Sequence, residues 1–230
     1  LAEKAGHTQV LAPCSACYLV LNKTQHYVRE YPRMRDCVDR ALGTVGLKDG
    51  GKTVVRHPLD VLINDVGLDA IKMKVVRPLK GLKVATYYGC QMVRPYATFD
   101  DQSNPTTMDQ LIEALGATVV KFPLKTKCCG GSLTGTLPEA GLRLSYIILK
   151  EALKRGAEVI ATVCPLCQFN LDAYHDKIAS RWEAVRIPTV YFSQLMGLAF
   201  GQSPAKLGLQ RGFVPMVPLP PIPTDAMARA

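Results

Sequence analysis

Cysteine is the residue type with the most chemistry to offer here, and its spacing is uneven. The 230-residue chain holds eight: Cys14, Cys17, Cys37, Cys90, Cys128, Cys129, Cys164 and Cys167. Two pairs are written C-x-x-C, at Cys14/Cys17 and Cys164/Cys167, and Cys128 and Cys129 are adjacent and followed by Gly130 and Gly131. Adjacent cysteines rarely pair with each other because the ring they would close is strained. The chain is 48% hydrophobic, so it can build a core without disulfide staples. Clustered thiols in such a chain point to metal binding or redox chemistry.

Four chemistries compete for these thiols. A zinc site wants four ligands in a closed tetrahedron, usually two close pairs; Cys164/Cys167 fits, but the remaining thiols are one too many. A dithiol of the thioredoxin kind fits "ATVCPLCQF", a strand running into C-x-x-C at a helix start, where the helix dipole lowers a thiol pKa. It leaves Cys90, Cys128 and Cys129 without a task. A buried structural place suits Cys37, which has no counterpart elsewhere in the chain. An iron–sulfur cluster takes thiolates as its usual ligands. It also explains the Cys-Cys-Gly-Gly stretch: neighbouring thiolates can reach two irons, and glycine lets the backbone and its N–H groups come close to inorganic sulfide.

The elements that must position these residues are legible as alternating strands and helices. Strands are expected at 82–88, 118–122, 158–163 and 187–192, and helices at 106–117, 138–156, 165–182 and 193–201. Thr106 or Thr107 is the expected cap of the first helix, and Gly156 the stop of the second. Alternation of this kind predicts an α/β fold with mainly parallel sheets flanked by helices. Cys90 and Cys164 then end strands, Cys128 and Cys129 follow shortly after another, and all lie on the rim formed by strand carboxyl ends.

An internal repeat adds the remaining pair. "KAGHTQVLAPCSACYLVL" (4–21) aligns with "KRGAEVIATVCPLCQFNL" (154–171) at an offset of 150, with both cysteines of each pair in register. The equivalents of Cys90, Cys128 and Cys129 fall before Leu1. The expectation is therefore an amino-terminally truncated chain lacking at least about 60 residues. It comprises the carboxyl-terminal part of a first unit plus linker (1–78), a complete second unit (79–210) and a Pro-rich tail (211–230).

Other signals exclude more than they assign. The formal charge is +9, but no dense Lys/Arg run with interleaved aromatics argues for nucleic acid. No apolar run reaches the length of a membrane span, and no export signal is visible. His7, His26, His57 and His175 are scattered and read as structural or surface residues; His175 follows Cys167 at helical spacing on the same face. Lys121, Lys125 and Lys127 read as a solvated loop edge able to attract anions, and Arg94 as a neighbour of the Cys90 site.

"ATYYGCQMVRP", "KCCGGSL", "CPLCQFNL" and "IPTVYFSQLMGLAFG" together resemble the cysteine-rich CCG domain family, whose best-known member is the B subunit of heterodisulfide reductase. The resemblance extends to about residue 210, and "VVRHPLDVL" (54–62) looks like the family's linker between two units. It implies that Cys90, Cys128, Cys129, Cys164 and Cys167 bind one noncubane [4Fe-4S] cluster. Cys14 and Cys17 are then ligands of a second, incomplete site. It further implies a cytoplasmic oxidoreductase subunit that reduces or forms a disulfide, small or carrier-bound. Its partners would be an iron–sulfur protein like the C subunit and a flavin protein like the A subunit of such a complex, through which it could associate with a membrane. The alternative within the resemblance is an electron-transfer subunit of a lactate, glycerol-3-phosphate or succinate/fumarate complex.

Overall fold

Residues 1–216 are described by the structure, a computed structural model. The chain opens with β1 (Gln9–Leu11), α1 (Ser15–Glu30), α2 (Pro32–Gly43), β2 (Val54–Arg56), α3 (Pro58–Val61), a π-helical turn (Leu62–Val66) and α4 (Leu68–Met73). It continues with β3 (Lys83–Tyr87), α5 (Thr107–Ala114), β4 (Thr118–Val119), α6 (Pro138–Lys154), β5 (Val159–Thr162), α7 (Pro165–Asp172), α8 (His175–Ala179), β6 (Thr189–Tyr191), α9 (Phe192–Ala199) and α10 (Pro204–Leu207). β1 and β2 form a parallel pair, and the larger sheet runs β4-β3-β5-β6, parallel throughout. The expected α/β architecture with helices on parallel sheets is present.

The strand sequences explain why the larger sheet is central. β5 is a short apolar run, buried at every position, as a strand covered on both faces must be. Alternate residues feed two cores. Val159 and Ala161 pack with Met108, Leu111 and Leu195 on the α5/α9 side. Ile160 packs with Leu142, Leu149, Leu171 and Ile178 on the α6–α8 side. α6 places Leu142, Tyr146 and Leu149 at helical spacing on its buried face, has Pro138 in its first turn, and is followed by Gly156 at φ +74°.

Several expected boundaries shift for identifiable reasons. The strand expected over 118–122 is only Thr118–Val119, because Phe122 turns into the core and Pro123 cannot donate to a ladder. The helix expected over 165–182 breaks after Asp172, and the turn lets buried His175 bring Nδ1 to within 2.5 Å of the Val185 carbonyl oxygen. His175 thus serves the core away from the cysteines. Thr106 stands at the N-cap of α5, but its side chain makes no capping bond. Asp100 accepts from the Thr106 and Thr107 amides, and the Tyr88 hydroxyl accepts from those of Met108 and Asp109. The segment 54–62, which looks like a linker in sequence, is strand β2 and helix α3. Residues 217–230 of the Pro-rich tail lie outside the described residues; just before them, the Asp172 carboxylate accepts from the Phe213 and Val214 amides.

The two parts of the chain meet along a seam. The Tyr18 hydroxyl on α1 bonds Thr98 in the loop after Cys90, and the Tyr18 ring packs edge-on against Phe99 and His57. His57 is fully buried, its Nδ1 accepting from the Leu59 amide. Nε2 therefore carries the proton and donates to the Val163 carbonyl, 3.2 Å away.

Burial holds the His57 pKa down at about 4, against an ordinary 6.5. The folded state therefore resists a proton that the unfolded chain accepts, and stability is lost as pH falls from about 6.5 toward 4. A shift of this size corresponds to roughly 3 kcal/mol at the acid end. Urea midpoints measured across this range are expected to fall more steeply for the natural sequence than for His57→Gln, which has no proton to take up. Parallel curves would show that His57 does not carry this acid sensitivity.

Candidate functional site

Three strand ends deliver the cysteines to one rim. β3 ends at Tyr87 and leads through Gly89 to Cys90. β5 ends at Thr162, and Cys164 is the N-cap residue of α7, with Cys167 in its first turn. β4 feeds the loop that ends in Cys128 and Cys129. The same local fold recurs at Cys14, the N-cap residue of α1 after β1. Cys14 has φ −148° and ψ 124°, and Cys164 has φ −130° and ψ 120°, so the two C-x-x-C segments share one backbone form as well as one spacing.

The thiols are placed against one another. Cys129, Cys164 and Cys167 are buried, Cys90 and Cys128 partly so, and none is in a disulfide. The Sγ atoms of Cys129 and Cys167 are 3.5 Å apart. The Gly130 amide donates to Cys128 Sγ at 3.3 Å. A β-carbon on Gly89 would stand 3.2 Å from Cys167 Sγ, so glycine there lets the thiol lie directly on the strand end. Hydrogen bonding from the Cys167 thiol, helped by the Cys167, Ala16 and Leu166 amides and against burial, pulls Cys164 down to about 5. The Cys129–Cys167 contact lowers Cys129, and the neighbouring Cys129 and Cys164 sulfurs, then burial, push Cys167 upward. Burial, then the neighbouring Cys128, pushes Cys90 up to about 11. Burial also raises Cys14, with Cys164 among the nearby charges.

The donors gathered at this rim are thiols, the ligand type an iron–sulfur cluster takes. Among the described residues no three His, Cys, Asp or Glu side chains are grouped to hold one metal ion. Five thiols spread around a rim, with backbone N–H groups aimed at Cys128 and Cys164 and the Cys129 and Cys167 sulfurs in contact, suit a group that distributes its bonds over several irons. Cys17, the second cysteine of the first pair, is exposed, while Cys14 lies against the Cys164 segment. Cys37 departs from expectation. It is exposed on α2 with Arg40 Nη2 at 3.6 Å, because α2 buries none of its residues fully. Lys125 also departs from a solvated role: it is mostly buried and paired with Asp109. Arg94 donates to the Thr126 carbonyl, tying the loop after Cys90 to the one before Cys128.

The supports of the loop are not evident in the sequence. Asn170 donates through Nδ2 to the Cys129 carbonyl (2.7 Å) and to Ser145 Oγ (2.8 Å), and its Oδ1 accepts from Thr134 Oγ1. Ser145 donates to the same carbonyl at 2.9 Å. The Tyr87 hydroxyl donates to the Lys127 carbonyl at 2.5 Å. Burial first, then the charges of Cys167, Cys129, Cys90 and Cys128, raise its pKa, which marks the ring as the floor of the thiol group. A polar residue on the otherwise apolar face of α6, and an Asn at i+3 from Cys167, were the available signals.

Gly130 is the most exacting position of the loop. Its φ is +82°, and a β-carbon there would meet Gly141 O at 2.7 Å and Gly141 Cα at 2.8 Å. The strained backbone alone costs about 1–3 kcal/mol for a residue with a side chain, and helix α6 cannot yield. Gly130→Ala is expected to lower the thermal midpoint and to displace Cys128 and Cys129, read as a gain in their alkylation rate in metal-free protein. Unchanged rates would show the loop does not depend on this contact.

Known proteins share this arrangement of sequence. The family model described as a cysteine-rich domain, CCG, matches residues 84–172. The 8-methylmenaquinol:fumarate reductase membrane anchor subunit of Wolinella succinogenes is 35% identical over 220 residues, covering 93% of this chain and 75% of that protein. The B subunit of the ferredoxin:CoB-CoM heterodisulfide reductase of Methanosarcina mazei is 31% identical over 213 residues, covering 89% and 70%. A protein of Archaeoglobus profundus described as like the heterodisulfide reductase B subunit is 30% identical, covering 90% and 71%. Among solved structures, a hypothetical protein from Helicobacter pylori has the same fold, with TM-score 0.63 at 12% identity, over 87% of this chain and 37% of that one. Identity of 30–35% across most of both sequences means that the chain belongs to the cysteine-rich CCG domain family, with the B subunits of heterodisulfide reductase among its relatives.

Proposed function

We propose that the chain is the iron–sulfur subunit of a heterodisulfide reductase-like complex, reducing or forming a disulfide. Cys90, Cys128, Cys129, Cys164 and Cys167 would hold a noncubane [4Fe-4S] cluster, and Cys14 and Cys17 would belong to a second site. The observation that carries this reading is the meeting of five thiols from three separate strand ends at one rim, with the Cys129 and Cys167 Sγ atoms 3.5 Å apart. The bound cluster would supply iron able to take a substrate sulfur and to pass electrons.

The chain's own residues set the conditions for that chemistry. Reductive cleavage of a disulfide takes two electrons and two protons and gives two thiols. Electrons would come from partners, an iron–sulfur protein like the C subunit and a flavin protein like the A subunit of such a complex. The buried thiols and the Tyr87 ring below them exclude water from the inner side. The Asn170–Ser145 pair fixes the Cys129 carbonyl, and the amides around Cys128 and Cys164 offset negative charge on sulfur. No helix among the described residues is long and apolar enough to cross a membrane. A cytoplasmic place, with any membrane contact made through partners, is the reading we favour. The similarity to a fumarate reductase membrane anchor supports a second reading, an electron-transfer subunit without a substrate of its own.

The test is a count of iron and acid-labile sulfide in protein prepared without oxygen, before and after Cys128→Ser. A loss of about four irons is expected from emptying one four-iron site. Zinc or free thiols in place of iron would overturn the cluster. Iron without turnover of any disulfide, in the presence of partners and a reductant, would leave the electron-transfer reading standing in place of the catalytic one.

A further inference from the structure

The two C-x-x-C segments are joined by hydrogen bonds that repeat under the internal symmetry. Pro13 and Val163 precede the first cysteine of each pair and are equivalent at the offset of 150. The ladders extend the equivalence. Leu11 pairs with Arg56 in the first sheet, and Ala161, its equivalent, pairs with Val190 in the second. The next residues, His57 and Tyr191, are therefore equivalent. Each is the N-cap residue of the following helix, with φ −88° and ψ 147° at His57 and φ −76° and ψ 139° at Tyr191.

These two equivalent residues reach across the seam in opposite directions. His57 of the first unit donates from Nε2 to the Val163 carbonyl of the second, at 3.2 Å. The Tyr191 hydroxyl of the second unit stands 2.7 Å from the Pro13 carbonyl of the first and 2.9 Å from Val163 O. Ser15 Oγ, next to Cys14, is 3.4 Å from Val163 O and 3.6 Å from Met92 Sδ. The hydroxyl has one proton for two carbonyls, so it is shared between the carbonyl before Cys14 and the one before Cys164. Of the residues joined by these bonds, all but Tyr191 and Pro13 are buried.

We propose that His57 and Tyr191 are paired positioning residues, a reciprocal clamp that fixes the Cys14/Cys17 segment against the Cys164/Cys167 segment. The proposal deepens the reading of two cluster sites and rests on it for its purpose, since a disulfide taken between two sites requires a set spacing between them. It assigns neither residue contact with substrate. A shared core would hold the units together anyway; the clamp acts on the two carbonyls next to the cysteines and so on the last degree of freedom that matters to the thiols.

Two arms test it. In metal-free protein, Tyr191→Phe keeps the ring and removes the proton, and His57→Gln removes the imidazole from the other half. Each is expected to speed hydrogen exchange in peptides spanning 9–18 and 159–168 by roughly fivefold, the usual effect of one hydrogen bond, with peptides of α5 and α6 unchanged. In cluster-loaded protein, iron content is expected to stay at the natural level while the magnetic interaction between the two clusters, read by electron paramagnetic resonance, weakens in both variants. A merely structural residue would not move that interaction at constant iron content. Exchange and interaction identical to the natural protein in both variants overturns the clamp. Absence of iron in the natural protein would sink the cluster reading instead, and the exchange arm would still decide the clamp. Should Tyr191→Phe fail to fold, His57→Gln alone carries both readouts.

Discussion

Parallel pairing of the strands is the constraint from which the site follows. In a parallel sheet every strand ends on the same side, and each must leave through a loop or a helix start at that rim. β3, β4 and β5 therefore deliver Cys90, the Cys128–Cys129 loop and Cys164 to one place, although they are far apart in sequence. An antiparallel arrangement of the same strands would send alternate cysteines to opposite ends. The sheet is short, with strands of two to five residues, but its buried β3 and β5 give the rim a rigid base.

Position on a rim is not yet position of an atom, and the remaining ångströms are set by glycine and by three polar side chains. Gly89 and Gly131 let thiols lie against backbone, and Gly130 turns the loop where helix α6 leaves no room for a β-carbon. Asn170, Ser145 and Thr134 form a closed set of bonds around the Cys129 carbonyl, each donor with an acceptor. Buried polar groups this well satisfied narrow the choice of conformations more than they add to stability. Lys125, beside the same loop, does related work through Asp109 and the carbonyl of Pro105.

Periodicity and the repeat made the strand–helix order, the rim and the seven paired or clustered cysteines legible, because those follow from local pattern and fixed spacing. What stayed hidden depends on contacts between distant residues. Asn170 and Ser145 look like ordinary polar positions on helices until the Cys129 carbonyl is seen between them. His57 looked incidental, because "VVR" is too short to announce a strand without β1 beside it. Cys37 was misread for the opposite reason: a cysteine is usually buried, yet α2 lies on the surface and keeps it there.

The repeat also explains why residues as unlike as histidine and tyrosine occupy equivalent places. At the end of β2 the backbone is enclosed, and a neutral imidazole can accept the Leu59 amide on one side and donate on the other. At the end of β6 the Gln194 side chain accepts from the Tyr191 backbone N–H, and the phenol reaches outward to the Pro13 and Val163 carbonyls. The two halves meet the same geometric need, a donor aimed at the carbonyl before a C-x-x-C, with whichever side chain the local capping leaves available.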